Sequence, residues 1–151
     1  MRQVASSVTI IATELDGEPR GLTATSVCSL SVDPPSFVVC VNRRAAAREF
    51  IRRSRHFSIN VLCRDQESIA RCFSGGVEHC RGGDRFSFGQ WGRLVTGAPI
   101  LLSSAANFDC ELYQSLECDT HDVLIGYAVA AQADEQRMPL LYRNRRYVGL
   151  T

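Results

Sequence analysis

Small and hydroxylated side chains crowd one stretch of this chain: Gly21-Leu22-Thr23-Ala24-Thr25-Ser26-Val27-Cys28-Ser29-Leu30-Ser31-Val32-Asp33-Pro34-Pro35. Read as extended backbone, period two puts Thr23, Thr25, Ser29 and Ser31 on one face. Leu22, Ala24, Cys28, Leu30 and Val32 take the other. A wall built of such short groups lets a flat heterocycle lie against main-chain N–H and C=O groups, which can bond its polar edge. The same alternation also suits an ordinary solvent-facing strand in which threonine follows β-propensity.

A second cluster, Asn42-Arg43-Arg44-Ala45-Ala46-Ala47-Arg48, sits where an apolar run gives way to strong helix formers. Free amides of a first helical turn, joined by arginine, make an anion site; a solvated arginine cluster is the plain alternative. His121 follows the strand that ends at Asp119, where an imidazole can hydrogen-bond a substrate amide without binding metal. Other chemistries are missing. No Gly-x-Gly-x-x-Gly joins a strand to a helix, and neither Gly75-Gly76 nor Gly82-Gly83 has that spacing. No Gly-x-Ser-x-Gly nucleophile elbow occurs.

All 17 basic residues are arginine. Without lysine, P-loop phosphate chemistry and Schiff-base or pyridoxal chemistry lose their required amine. Arginine still binds phosphate by bidentate hydrogen bonding. The net charge of +1 offers no global field for nucleic acid or an anionic membrane. No run approaches the ~20 apolar residues of a membrane span, and the opening residues have no signal-peptide pattern. The cytoplasm is the expected compartment. The seven cysteines are odd in number and contain no Cys-x-x-Cys. Cys72 with His79-Cys80 fits no standard zinc spacing, so seven free thiols and no metal are expected.

The 151 residues, 45% hydrophobic and 22% charged, suit one globular domain spanning 1–151. Val8–Leu15 reads as a strand closed by the turn Asp16-Gly17, and Gly21–Val32 as one further extended segment stopped by Asp33-Pro34-Pro35. Ser36–Val41 reads as a strand covered on both faces, Ala45–Arg53 as a helix, and Phe57–Val61 as an alternating strand. Asp65–Phe73 reads as a short helix with Asp65 as its N-cap, followed by a glycine-rich loop. In Asn107–Asp119, Phe108, Cys110, Leu112, Leu116 and Cys118 share one face of a half-buried antiparallel strand. His121–Ala133 continues the pattern, and a hairpin closes the chain. The sum is a mainly β protein: an antiparallel, Greek-key-type barrel, closed or nearly so, with two or three short helices.

The run Gly21–Pro35, the apolar strand to Asn42 and Phe57-Ser-Ile-Asn-Val-Leu62 resemble the flavin reductase-like family, the reductases that partner two-component flavin monooxygenases. His121-Asp-Val-Leu-Ile-Gly126, Pro139-Leu-Leu-Tyr142 and Arg146-Tyr147 match its C-terminal half in order and spacing. The resemblance implies a split-barrel FMN-binding fold, a homodimer, and reduction of FMN or FAD by NADH or NADPH to supply a monooxygenase. Carried over by position, Ala24, Thr25, Ser26, Val27, Cys28, Ser29 and Leu30 line the isoalloxazine and ribityl chain. Asn42, Arg43, Arg44, Ala47 and Arg48, with Phe73, hold the phosphate end. His121 lies beside the nicotinamide and Tyr147 flanks that pocket. Relatives often carry serine or threonine where this chain has Ala45 and Ala47, which leaves phosphate to the arginines. A pyridoxamine phosphate oxidase-like enzyme, or a flavin- or haem-binding sensor that does not turn over, is the competing reading of the same barrel.

Overall fold

The computed structural model describes residues 1–150. The chain runs through β1 (Ser6–Ser7), β2 (Thr9–Leu15), β3 (Glu18–Ala24), β4 (Val27–Val32) and β5 (Pro35–Asn42) to helix α1 (Ala46–Ser54). Strand β6 (His56–Val61) and helix α2 (Glu67–Phe73) follow, then the short β7 (Trp91–Gly92) and β8 (Ile100–Leu101). The long hairpin β9 (Ala106–Cys118) and β10 (His121–Ala133) precedes the closing pair β11 (Leu140–Arg143) and β12 (Arg146–Gly149).

One seven-stranded antiparallel sheet, ordered β3-β2-β6-β9-β10-β5-β4, carries the fold. Its two edges, β3 and β4, are joined in the chain by Thr25 and Ser26 alone. So short a link requires the sheet to curl until its edges meet at one end, which gives a barrel left open along one seam. The expected mainly β, split-barrel architecture is therefore found. A smaller sheet, β1-β11-β12, packs beside it. Strand β2 is covered on both faces: Ile10 joins Leu62, Phe73 and Leu140 in one core, and Ile11 joins Phe57, Ile59 and Leu124 in the other. The hairpin β2–β3 turns through Asp16 and Gly17, both at positive φ, as the Asp-Gly pair predicts.

Several local expectations are corrected. Gly21–Val32 is two strands, because the sheet's edges diverge at Thr25–Ser26. Cys28 and Leu30 consequently face outward, Leu30 being 54% exposed. Strand β5 buries Val39 and Val41 on one face, while Val38 and Cys40 on the other are only partly covered. In β6, Ser58 and Asn60 are buried along with the apolar positions. Their polarity is satisfied: Ser58 donates to the Pro99 carbonyl, and Asn60 accepts from the Leu101 amide and from Asn107. Asp65 lies within a 3-10 turn at Arg64–Gln66 and does not cap α2; Gln66 accepts from the Cys63 amide instead. In β9 a bulge between Leu112 and Gln114 flips the alternation, so Leu116 and Cys118 point out while Cys110 and Leu112 point in. Finally, Cys72 and Cys80 are joined by a disulfide that fastens α2 to the glycine-rich loop, while Cys28, Cys40, Cys63, Cys110 and Cys118 are free.

Candidate functional site

At the start of α1 the chain leaves a helix end with no cap. Ala45 occupies the N-cap position with extended geometry and supplies no side-chain acceptor. The alanines at 45, 46 and 47 instead form part of the wall of a cavity of about 440 Å³. Asn42 shapes the approach: its side-chain carbonyl accepts from the Arg44 amide at 2.9 Å, and its backbone carbonyl accepts from Ala45. Orphan first-turn amides facing a cavity are an anion site in waiting.

The facing wall is β3 and the residues after α2. Gly21 is required there, since a Cβ would lie 2.9 Å from the Phe73 ring and 3.1 Å from the Ile11 carbonyl. Phe73 thus packs close against the strand, and its own backbone carbonyl accepts from Arg85 at 3.0 Å. Arg85 also donates to the Gly21 carbonyl at 3.0 Å, and burial lowers its pKa from the ordinary arginine value. No carboxylate pairs with Arg85 or Arg44 among the described residues. Arg20, the third arginine of the cavity, donates to the Pro19 carbonyl at 2.7 Å, pairs with the exposed Glu18 and lies over the face of Phe50. Three guanidiniums, two of them unpaired, and no acid in the lining make the cavity selective for an anion.

Past Thr23, whose hydroxyl donates to the Ala70 carbonyl, the strand reaches the Thr25–Ser26 link. Neither Thr25 nor Ser26 donates its amide to another group among the described residues. They wall a second cavity, of about 480 Å³, together with Tyr142, Arg143 and Arg145. Cys40 donates to the Ser26 carbonyl at 3.0 Å, so the link runs beside β5. Two residues further on, Asn42 is paired with His121 of β10. The His121 Nδ1 lies 2.8 Å from the Thr120 hydroxyl.

Of the sequence-derived candidates, Asn42, Arg44, Ala47 and Phe73 come together in the first cavity, and Thr25 and Ser26 in the second. Ala24 and Val27 pack instead with the barrel core, and Ser29 lies in an apolar groove beside Phe37 and Phe108. Arg43 and Arg48 turn away from the first cavity to the carboxylates of Asp122 and Glu117. Tyr147 packs against Tyr142 with the two rings tilted at 59°, Arg71 lies over its ring, and burial raises its phenol pKa. Arg20, Gly21, Thr23, Ser74 and Arg85 were not singled out as cofactor contacts from sequence. Gly21 and Thr23 fall in the small-residue run and Gly82-Gly83 precedes Arg85, yet none of these local patterns marks a contact at the phosphate end.

A strand opened at a two-residue link is thus flanked by anion-selective space. The flavin reductase like domain matches residues 1–151. This chain belongs to that family. FMN reductase (NADH) RutF 2 of Methylorubrum extorquens is 41% identical over 147 residues, covering 97% of this chain and 84% of that protein. BorF, the flavin reductase component of a bacterial two-component tryptophan halogenase, superposes with a TM-score of 0.89 at 30% identity, covering 99% of this chain and 92% of that one. The Streptomyces globisporus NADH:FAD oxidoreductase SgcE6, solved with NAD and FAD fragments, gives a TM-score of 0.89 at 27% identity over 99% of this chain and 87% of its own.

Proposed function

We propose that residues 1–151 form a single-domain NAD(P)H:flavin oxidoreductase that reduces FMN or FAD for a partner flavin monooxygenase. The observation that carries this reading is the first cavity: an uncapped helix start facing Arg44 and Arg85, with no carboxylate in the lining. A flavin phosphate fits that donor set, and the alanines at 45 and 47 leave room where a hydroxyl is not needed. The free amides of Thr25 and Ser26 suit the polar edge of an isoalloxazine whose ring would lie along the backbone of that link.

When bound, the flavin supplies the hydride acceptor at its N5, and the nicotinamide supplies the hydride. The residues of this chain bind and orient. Arg44, Arg85 and the amides at the start of α1 fix the phosphate end. Thr25 and Ser26 fix the ring edge, and His121 orients the donor's carboxamide. No side-chain nucleophile or base is needed for that transfer.

A homodimer is part of the same proposal. Leu30, Val32, Tyr113 and Leu116 are 48–91% exposed on β4 and β9, apolar surface that a second copy of the chain would cover. No helix among the described residues is long and apolar enough to cross a membrane. An enzyme drawing on a nicotinamide donor belongs where that donor is regenerated, in the cytoplasm.

The test is anaerobic flavin bleaching by the purified protein with NADH and NADPH, run with FMN, FAD and riboflavin. The protein bleaches flavin with at least one donor. Arg44→Ala raises the KM for FMN roughly tenfold and leaves that for riboflavin, which lacks the phosphate, within twofold. Equal effects on FMN and riboflavin would remove Arg44 from the phosphate site; bound flavin that ignores both donors would favour the sensor.

A further inference from the structure

We propose that Cys72 and Cys80 form a thiol–disulfide switch that sets how tightly the cavity of Arg44 and Arg85 holds a phosphate group. The inference rests on the flavin reductase reading and adds a control on that site.

The pair stands where it can act. Cys72 is in the last turn of α2, next to Phe73, and Cys80 lies in the glycine-rich loop that leads to Arg85. Their Cα atoms are 5.9 Å apart, an ordinary span for a disulfide. Three carbonyls hold the Arg85 guanidinium: Nη1 donates to Gly21 and Phe73, and Nε donates to Cys80 at 3.4 Å. The Cys72 sulfur lies 3.9 Å from the carbonyl oxygen of Arg85 itself. Two of the three acceptors thus belong to a crosslinked residue or its neighbour.

Little else fixes this part of the chain. The amides of Cys80, Asp84 and Phe88 donate only to carbonyls within the segment, and Gly75, His79 and Gly82 stand at positive φ. Val77 and Phe86 give it an apolar footing, but the crosslink sets where the Cys80 carbonyl stands. With both thiols free, the glycines on either side let Cys80 withdraw, and Arg85 loses an acceptor.

In the reducing cytoplasm proposed for this chain, a purely structural disulfide is rare and one that forms there is as a rule redox-responsive. The proposed activity also generates an oxidant, since reduced flavin that meets oxygen passes it an electron pair and yields hydrogen peroxide. Cys80, flanked by the exposed His79 and Arg81, is reached first. Its thiolate attacks the peroxide, the O–O bond breaks, and a sulfenic acid forms as hydroxide leaves. The Cys72 thiolate then attacks that sulfur; the S–S bond forms, the S–O bond breaks, and a second hydroxide leaves. The two protons shed by the thiols turn both hydroxides into water. The pair is oxidised by two electrons and the peroxide is reduced by two. A dithiol reverses the bond by exchange. Closed, the switch grips flavin harder, so flavin lost to oxygen slows further release.

The test compares protein treated with hydrogen peroxide and protein treated with dithiothreitol, each freed of reagent, by calorimetric titration with FMN, riboflavin and inorganic phosphate. Peptide mass mapping shows the Cys72–Cys80 crosslink in the first sample and both thiols in the second. Reduction weakens FMN roughly fivefold and phosphate in parallel, leaves riboflavin within twofold, and speeds hydrogen exchange across 74–88. Cys72→Ala/Cys80→Ala binds FMN as the reduced protein does and ignores peroxide, whereas Cys118→Ser, at an exposed thiol, switches as wild type does. Equal FMN affinity in the two wild-type samples overturns the proposal, as does a response that survives in the double variant. Phosphate binding that follows the redox state, in a protein that bleaches no flavin, would sink the reductase reading alone and leave the switch standing.

Discussion

The Arg48 Nε donates to the Asp122 carboxylate at 2.6 Å, and Asp122 has no exposure to solvent. This contact ties the first turns of α1 to the strand residue that follows His121, across 74 positions of chain. The hydrogen bond that Arg48 donates to Asp122 raises the arginine's pKa further. Arg43 stands 3.7 Å from the other carboxylate oxygen, which has no hydrogen-bond partner, and Glu117 completes the group on its outer side.

Asp122→Asn strands that guanidinium beside a neutral amide. Breaking a buried pair by changing one partner is strongly destabilising, so the melting temperature falls on the order of 10 °C. The double variant Arg48→Met/Asp122→Leu recovers most of the loss, because two apolar groups leave no charge uncompensated. Thermal melts of the three proteins decide it. If the double variant melts no higher than Asp122→Asn, the pair matters through something other than its charge.

Gly21 and Gly126 separate site from core. A methyl at Gly21 meets the Phe73 ring at 2.9 Å, and Phe73 borders the first cavity; a methyl at Gly126 meets the fully buried Phe57 at 2.5 Å. Both alanine variants lose about 1–3 kcal/mol by overpacking. Only Gly21→Ala also weakens FMN binding, by roughly fivefold or more, since a displaced Phe73 intrudes on ligand space. Urea denaturation paired with flavin fluorescence titration checks both. Equal FMN affinity in the two variants would show that Phe73 does not shape the site.

His56 makes stability pH-dependent. Burial lowers its pKa from 6.5, against the opposing pull of Asp109 and Glu14, and its Nδ1 has no partner. The unfolded chain therefore takes up the proton first. Stability is complete above the unfolded value and falls as pH drops below about 6.5 toward the lower folded value. His56→Gln flattens that slope. Parallel urea midpoints for wild type and variant between about pH 5 and 7 would refute it.

Much of this was legible before any coordinates. Asp16-Gly17 announces its hairpin because few other pairs accept two positive φ angles in succession. The apolar run to Val41 and the alanines after it mark the strand-to-helix corner where an anion site forms. What stayed hidden was long-range. Nothing local in Thr25-Ser26 reports a strand break, because the break is imposed by a sheet curling between distant edges. The alternation in β9 misleads after Leu112 because a bulge changes which residues share a face. Arg43 and Arg48 looked like phosphate ligands since Asp122 and Glu117, which claim them, lie some seventy positions away. Arg85 is hidden for the opposite reason: in a chain with 17 arginines, no local pattern distinguishes one that will be buried against backbone carbonyls without an acid.

The bare opening of α1 has a practical corollary at the bench. An anion trap whose donors no side chain of its own occupies will exchange one oxyanion for another by mass action. Sulfate- or phosphate-rich buffers should strip coenzyme during purification and masquerade as weak affinity, whereas chloride-based Tris would keep the preparation yellow.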